Sequence, residues 1–368
     1  MKDTTIQEEQ YRDFSLRVHT HAGSEAQVVN AQVELTYGCN LHCVHCYTDC
    51  YNQRELLKKE RTTEQILHTL DELSELGVLW VCFTGGEIFM RKDFRQIYDH
   101  AKSKGFLITL FTNGTMFTEA IVDYLKESPP FAIDISCHGA TSETFDAITQ
   151  VPGSFKRFLK GIELLRSRGL PFKLKTKAMT VNKHELDKIK DFVEGLGLSF
   201  HLSSTLYPRL NGNLEPVEYR LSPDEIVELE FSQSDFDEED EACPVENGHG
   251  EGLKPPPDDR LFRCGCGTTA VHINAWGKLG ACTWVNEPRA NLDEKSVAQG
   301  IDDVFPQIRG AKYQADTPCR SCQVYTLCEK NPSIAWAENG DREQPVEHFC
   351  QTAFKRAEGL AEQQDKRG

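Results

Sequence analysis

Six apolar segments rich in β-branched and aromatic residues recur along the first two thirds of the chain, separated by amphipathic segments. In the amphipathic segment at 62–77, apolar residues return every three or four positions, which is a helical period. Thr62 or Thr63 can cap this helix, and Gly77 can end it. The six strand candidates are 32–37, 78–86, 107–115, 131–139, 172–180 and 199–207.

Alternating strands and helices predict an α/β fold with a parallel sheet and right-handed crossovers. Six units are too few for a closed eight-stranded barrel, so we expect a partial (β/α)6 TIM-like barrel, with a flat doubly wound sheet as the alternative. Ligands bind at the carboxyl ends of such strands. Polar or glycine-rich residues end three of them, namely Thr84-Gly85-Gly86-Glu87, Thr112-Asn113-Gly114, and Asp134 with Ser136. A site is therefore expected at that edge.

The periodic pattern stops at residues 231–262, which are acidic and rich in Pro and Gly. Such a composition is typical of a linker or insertion. A cysteine-rich stretch and a polar tail follow. The expected division is an N-terminal extension at 1–30, the barrel at 31–230, the linker or insertion at 231–262, a cysteine-rich domain at 263–353 and a tail at 354–368.

Composition narrows the class of protein. The 368 residues are 39% hydrophobic and 27% charged, which is typical of a soluble globular chain. No apolar run is long enough to span a membrane, and the polar N-terminus is unlike a signal peptide, so we expect a cytoplasmic protein without a membrane partner. The formal net charge of −16 argues against nucleic acid as a partner.

Fourteen cysteines are the strongest chemical signal in the sequence. Clustered cysteines in a cytosolic protein are more often metal or redox ligands than disulfides. Ten of them form two sets, one of three near the first strand and one of seven in the C-terminal part. The first set alone is also compatible with a zinc site completed by Cys50. The ten are Cys39, Cys43 and Cys46, then Cys264, Cys266, Cys282, Cys319, Cys322, Cys328 and Cys350.

The segment CNLHCVHCY at 39–47, followed by TGGE at 84–87, resembles the radical S-adenosylmethionine (radical SAM) superfamily. The passage DAITQVPGSF at 146–155 is similar to one found in the peptide-modifying branch of that family. The resemblance implies that the first three cysteines hold a 4Fe–4S cluster whose open iron binds SAM. A donor such as flavodoxin or ferredoxin would reduce it. The implied cofactor-binding residues are Tyr47, Gly85, Gly86, Glu87, Asn113, Asp134 and Ser136.

The seven C-terminal cysteines resemble a SPASM domain, which carries one or two auxiliary iron–sulfur clusters. The resemblance implies one complete four-thiolate cluster, at Cys319, Cys322, Cys328 and Cys350. The other would use Cys264, Cys266 and Cys282, because Asn331 and Pro332 stand where its last ligand is expected. That site is then open, completed by Cys243, occupied by a 2Fe–2S cluster, or lost. Zinc knuckles are the alternative for this module.

The resemblance implies an enzyme that modifies a ribosomally made peptide or protein by hydrogen-atom abstraction, by cross-link, thioether, excision or oxidation. Because only about thirty residues precede the first strand, we expect a separate small protein to recognise a leader peptide. A tetrapyrrole side-chain enzyme is the alternative, and a non-catalytic zinc or iron–sulfur scaffold is the alternative of another class. No side chain is assigned to catalysis. His42 and His45 are interpreted as local packing groups, and His138 as a possible substrate or cofactor contact.

Overall fold

The computed structural model describes residues 10–232 and 255–367, with side chains as far as 362. Cys243 and most of the 231–262 segment lie outside the described residues. The strands are β1 Asn30–Thr36, β2 Trp80–Gly85, β3 Leu107–Thr112, β4 Ala132–Ser136, β5 Lys173–Lys177, β6 His201–Ser203, β7 Ala270–Ile273, β8 Lys278–Gly280 and β9 Ala290–Asn291. The α-helices are α1 Tyr11–Glu25, α2 Arg54–Leu57, α3 Thr63–Glu75, α4 Phe94–Ser103, α5 Glu119–Glu127, α6 Ser142–Thr149, α7 Ser154–Arg168, α8 Leu186–Gly195, α9 Pro223–Ser232, α10 Val297–Gly310, α11 Pro332–Asn339 and α12 Glu347–Arg367.

The six predicted strands pair in chain order, β6-β5-β4-β3-β2-β1, and all of these pairs are parallel. Sequential pairing with right-handed crossovers places all connecting helices on one face of the sheet. A doubly wound sheet instead needs a point where the strand order reverses. The prediction of an α/β partial barrel is therefore confirmed, and the flat doubly wound alternative is wrong.

The two faces of the sheet differ in chemistry. Alternate strand residues pack against the helices in one large hydrophobic core: Ala31, Val33, Leu35, Val81, Phe83, Ile108, Leu110, Ile133, Ile135 and Leu174. Because successive side chains of a strand point to opposite faces, the intervening residues line the concave face. That face is polar, and it includes Glu34, Thr84, Asp134, Lys175, Lys177, Ser203 and His272. The sheet thus buries its convex face and leaves polar groups inside the half-barrel.

The helix α3 begins and ends as its sequence predicts. The Thr62 side chain accepts a hydrogen bond from the backbone N–H of Gln65, and the Gln65 side chain accepts one from the Thr62 N–H. This reciprocal capping box satisfies two donors that the helix leaves free. Gly77 then turns the chain with a φ of +82°, in the left-handed region that glycine tolerates.

The helix α1 covers the amino-terminal end of the concave face. Trp80, the first residue of β2, is buried in a small cluster with Ala22 and Val29. The indole N–H of Trp80 donates to the hydroxyl of Tyr11 at 2.9 Å. This end of the half-barrel is closed by packing, so the carboxyl ends of the strands are the accessible side of the concave face.

The cysteine-rich part of the chain extends the same sheet, which the sequence did not predict. β7 pairs in parallel with β1, from Asn30 with Ala270 to Val33 with Ile273, and β8 and β9 continue as antiparallel strands. The module is therefore joined to the barrel by backbone hydrogen bonds beside the first cysteine loop. Within the described residues, no helix combines the length and apolar character needed to cross a bilayer.

Candidate cluster and cofactor site

The first three cysteines lie on a loop that follows β1 at its carboxyl end. Backbone N–H groups of His42 and Val44 donate to the carbonyls of Thr149 and Ile148 at 3.0 and 2.9 Å, which fixes the loop against the end of α6. The Cys46 N–H donates to the Cys43 carbonyl at 2.9 Å and closes a turn between two of the cysteines. The loop geometry therefore comes from the backbone and leaves the three side chains free to converge.

The three thiols are half-buried, and neighbouring thiols act on the pKa of Cys39 and Cys43. Burial, with smaller contributions from the neighbouring Glu87 and Cys46, raises the pKa of Cys39 to about 12. Burial raises the pKa of Cys43, and Cys46 and Cys39 act in the same direction. Free thiols would stay protonated here, whereas a coordinating metal deprotonates a thiol outright. Three thiolates on one loop match the donor number of an iron–sulfur cluster with one iron left open. Among the described residues, no three such side chains are already gathered at metal-binding distance, so cluster binding would draw the sulfurs together.

Asn113, predicted as a cofactor residue, lies beside this cysteine set. Its side-chain amide donates to the Sγ of Cys39 at 3.8 Å and to the Oδ1 of Asn40 at 3.0 Å. Asn40 in turn donates to the hydroxyl of Thr115 at 2.8 Å. The structure thus joins the loop after β3 to the loop after β1 through two amide side chains.

Glu87 is fully buried and is already engaged by the protein. Its carboxylate accepts hydrogen bonds from the hydroxyl of Thr112 at 2.8 and 2.9 Å and from the backbone N–H of Asn113 at 2.8 Å. The N–H of Phe89 also donates to it, at 3.3 Å. Burial raises the pKa of Glu87 to about 7, although these donors act in the opposite direction. Glu87 therefore acts on the site by holding the end of β3.

Gly85 and Gly86 allow β1 and β2 to approach each other next to the cysteine loop. Gly85 has a φ of +124°, and a Cβ there would lie 2.2 Å from the backbone oxygen of Thr36. A Cβ on Gly86 would lie 2.3 Å from the carbonyl oxygen of Gly38, the residue before Cys39. The family resemblance implies that these glycines bind the cofactor; in the structure, the close contact that they permit is with the backbone of the chain itself.

The other predicted cofactor residues lie in two places. Tyr47 follows Cys46, and its ring packs 5.0 Å from that of Trp284 in the cysteine-rich module. Asp134 lies on the concave face, where its carboxylate pairs with the ammonium of Lys175 at 2.9 Å. Ser136 ends β4, beside Lys175 in the register. Asp134 is thus neutralised by a strand neighbour, while Ser136 is at the same edge as the cysteine loop.

His45, within the cysteine loop, and His138, after β4, contact each other beside Cys43. The ring of His45 contacts that of His138 edge to face, with centroids 4.8 Å apart, and the Nε2 of His138 is 4.0 Å from the Cys43 Sγ. Burial lowers the pKa of both, to about 4 for His138, so both are neutral at pH 7. Within the described residues, the Nδ1 atom of each has no hydrogen-bond partner. His42, by contrast, pairs locally with Asp49 at 3.0 Å.

The C-terminal cysteines also gather in two groups. Hydrogen bonding from the Cys266 thiol lowers the pKa of Cys264 and Cys282 and raises that of Cys266 itself. Burial raises the pKa of Cys328 to about 12 and that of Cys350 to about 11, and in each case the other thiols of the group add to the effect. Asn331, by contrast, accepts backbone hydrogen bonds from Ser333 and Ile334 as the cap of α11. The groups are Cys264, Cys266 and Cys282, and Cys319, Cys322, Cys328 and Cys350.

Comparison with known proteins places these observations in a family. Residues 33–194 match the Radical SAM superfamily. The chain is 30% identical over 341 residues to the AdoMet-dependent heme synthase of Nitratidesulfovibrio vulgaris, covering 85% of this chain and 90% of that protein. It is 27% identical over 257 residues to the subtilosin biosynthesis protein AlbA of Bacillus subtilis, covering 69% of this chain and 54% of AlbA.

The fold matches a solved structure across almost the whole chain. Streptococcus suis SuiB, bound to its precursor peptide SuiA, superposes with a TM-score of 0.68 at 15% identity, covering 95% of this chain and 84% of SuiB. At that identity the likeness concerns the fold. Together with the full-length sequence match and the cysteine loop, it shows that this chain belongs to the radical SAM superfamily.

Proposed function

We propose that Cys39, Cys43 and Cys46 bind a 4Fe–4S cluster and that the chain cleaves SAM reductively to modify a ribosomally made peptide or protein. The observation that carries the proposal is the set of three half-buried thiols on one loop, at the carboxyl edge of a polar concave face, with the Asn113 amide donating to the first of them. When bound, the cluster and SAM supply a 5′-deoxyadenosyl radical that abstracts hydrogen from the substrate. The proposed cofactor residues are Tyr47, Gly85, Gly86, Glu87, Asn113, Asp134 and Ser136.

The protein's own contribution is positioning and exclusion of water. Glu87 orders the end of β3, which presents Asn113 to the first cysteine. Neutral His45 and His138 cover Cys43 on another side. A dry, preorganised site keeps a reactive intermediate away from solvent and holds the reacting atoms in a productive geometry.

We further propose that the cysteine-rich module is a SPASM domain with auxiliary iron–sulfur clusters. Its support is the grouping of seven thiols into a set of three and a set of four. Tyr207 lies near both sets, because Cys282 and Cys328 both raise its pKa, although burial is the larger cause. The proposal leaves the set of three without a fourth thiolate among the described residues.

The peptide substrate is supported by two relatives. AlbA is named for the biosynthesis of the bacteriocin subtilosin, and SuiB was solved with a precursor peptide. The net charge of −16 adds electrostatic support, because it favours the approach of a neutral or basic substrate over a polyanionic one.

A tetrapyrrole side chain is the second candidate substrate. It is favoured by one specific observation, the match to an AdoMet-dependent heme synthase across 85% of this chain and 90% of the relative. Carboxylate side chains on a porphyrin ring would be the groups acted on. The two candidates share the cluster, SAM and the first half of the reaction, so only the substrate assay separates them.

The proposal is tested with anaerobically purified protein. We expect iron and sulfide in more than one cluster, and 5′-deoxyadenosine from SAM under reducing conditions. Replacing Cys39, Cys43 and Cys46 by Ala should abolish 5′-deoxyadenosine while iron remains bound elsewhere. Stoichiometric zinc in place of iron would refute the proposed iron–sulfur clusters. Mass changes in a short peptide encoded beside the gene, or in a porphyrin with propionate side chains, would identify the substrate class.

A further inference from the structure

Lys177 is a cation on the concave face that the site described above does not use. It is the last residue of β5, where Leu174 and Thr176 are buried on the helix side at 0% and 2% exposure. Alternation therefore places Lys173, Lys175 and Lys177 on the concave side. The last of these lies at the carboxyl edge of the sheet, opposite Ser203 of β6.

The two concave lysines at this end of β5 differ in their partners. Lys175 has a carboxylate, since its ammonium pairs with Asp134. Lys177 donates to the hydroxyl of Ser203 at 2.7 Å and to the carbonyl of Thr205 at 3.3 Å, and both acceptors are neutral. Within the described part of the chain, its ammonium forms no ion pair. Among the described residues, one of its three N–H donors thus has no acceptor, and no carboxylate contacts its charge directly.

The acidic group that acts on Lys177 is already committed to other partners. Glu329 attracts Lys177, but its carboxylate accepts hydrogen bonds from the hydroxyl of Thr205 and, at 3.0 Å, from the guanidinium of Arg356. Burial lowers the pKa of Lys177 to about 8, while Glu329 acts in the opposite direction. The ammonium form therefore prevails at pH 7. Glu329 follows Cys328, so this charge lies where the barrel meets the cysteine-rich module.

Lys177 also neighbours the first cysteine loop. The Asn182 side-chain amide donates to the carbonyl oxygens of Lys177 at 2.9 Å and His138 at 3.0 Å, and the Nε2 of His138 lies 4.0 Å from the Cys43 Sγ. Lys177 thus lies near the first cysteine loop, where SAM and the substrate would meet. Burying a cation without a counter-charge costs free energy, and an anionic ligand group would offset that cost.

We propose that Lys177 binds a carboxylate of the molecule held at the carboxyl edge of the barrel. This inference rests on the proposed function, because it assumes that SAM and a substrate meet there. The carboxylate has two possible sources, the methionyl group of SAM and a carboxylate of the substrate. Both present the same chemistry to an ammonium ion, and binding measurements distinguish them.

The test compares Lys177→Met, which keeps the aliphatic stem, with Lys177→Arg, which keeps the charge. Lys190→Met is the control, because Lys190 is an exposed helical residue near Glu194. Iron content and melting temperature establish that each variant folds and loads its clusters, and Lys177→Gln replaces the Met variant if that one does not fold. The probes are SAM and its methyl ester, measured by equilibrium binding to the cluster-loaded protein.

If the carboxylate is that of SAM, Lys177→Met should weaken SAM binding at least tenfold and leave binding of the methyl ester unchanged. If it belongs to the substrate, SAM binding stays unchanged and the KM of the accepted peptide or porphyrin rises at least tenfold. Lys177→Arg should retain most of the affinity in either case. Unchanged SAM affinity together with an unchanged KM would overturn the proposal.

Failure of the proposed function can be distinguished from failure of the Lys177 proposal. In that case neither substrate is modified by the wild-type protein or by the Lys190→Met control. The SAM measurement then decides the Lys177 proposal by itself, and equal SAM affinity in wild type and Lys177→Met refutes it.

Discussion

The carboxylate of Glu87, after β2, accepts a 2.8 Å hydrogen bond from the backbone N–H of Asn113, after β3. Asn113 then presents its side-chain amide to the sulfur of Cys39. The carboxylate of the TGGE segment is therefore one step removed from the cysteine site. It orders the loop that contacts the site, and its loss should change stability as well as cofactor binding.

Thr112→Val tests this link, because valine keeps the shape of threonine without the hydroxyl. The Thr112 hydroxyl donates to both oxygens of the buried Glu87 carboxylate. Leaving that carboxylate short of a donor should lower the free energy of unfolding by about 1–3 kcal/mol. Denaturant unfolding of the anaerobic apoprotein measures the change. Thr109→Val, on the same strand, is the matched control and should unfold near the wild-type midpoint; equal midpoints for the two variants would contradict the link.

Glu87 should also make stability depend on pH. Burial raises its pKa from the ordinary 4.5 to about 7, so the folded state binds this proton more tightly than the unfolded state. Stability relative to Glu87→Gln is therefore greatest below pH 4.5 and declines as pH rises toward 7, by roughly 3 kcal/mol in all. Unfolding curves of both proteins at pH 5 and pH 8 measure the difference. A difference that is constant, or that grows with pH, would show that the donors outweigh burial.

Gly86→Ala should affect both the cluster and SAM. The family resemblance implies a role for Gly86 in cofactor binding. In the structure the added Cβ would lie 2.3 Å from the carbonyl oxygen of Gly38, next to Cys39, so the cysteine loop must move. We expect lower iron content at the first site and weaker SAM binding. Gly195→Ala is the control, since a Cβ there meets nothing within 4 Å. Normal iron content with normal SAM affinity would show that the loop adapts without cost.

The barrel could be predicted from the sequence because the signals for its strands and helices are local. Apolar segments rich in β-branched and aromatic residues marked all six strands, and the capping residue of α3 could be predicted from the threonine at its start. The pairing of β7 with β1 joins segments about 240 residues apart, and β7 is a strand of four residues in a cysteine-rich stretch. Such a pairing depends on the fold as a whole, so no local sequence pattern predicts it.

The parts of the site that are sequence motifs could be predicted, whereas the contacts that depend on the folded chain could not. Three cysteines and two glycines identify the family by spacing. Lys177 was missed because a lysine on a short strand is usually a solvated residue. The alternation in KLKTK at 173–177 was the available signal, since it places three lysines on the face that a half-barrel turns inward. His45 was visible in the cysteine loop, but its contact with His138 requires the folded β4 edge.

The auxiliary set of three cysteines has no fourth thiolate among the described residues. Cys266 hydrogen-bonds to Cys264 and Cys282, whereas the side chain of Asn331 is used to cap α11. A cluster there has a free iron position unless Cys243, outside the described residues, completes it. We expect an open position, because an acidic, glycine-rich segment is a poor anchor for a ligand, and a free iron position can hold a substrate group near the first cluster. Cys243→Ala should leave the cluster's spectrum intact, and substrate should shift it. Cys350→Ala is the comparison variant, which should degrade the four-cysteine cluster. Cluster loss in Cys243→Ala, with no spectral change on adding substrate to the wild type, would refute the open site.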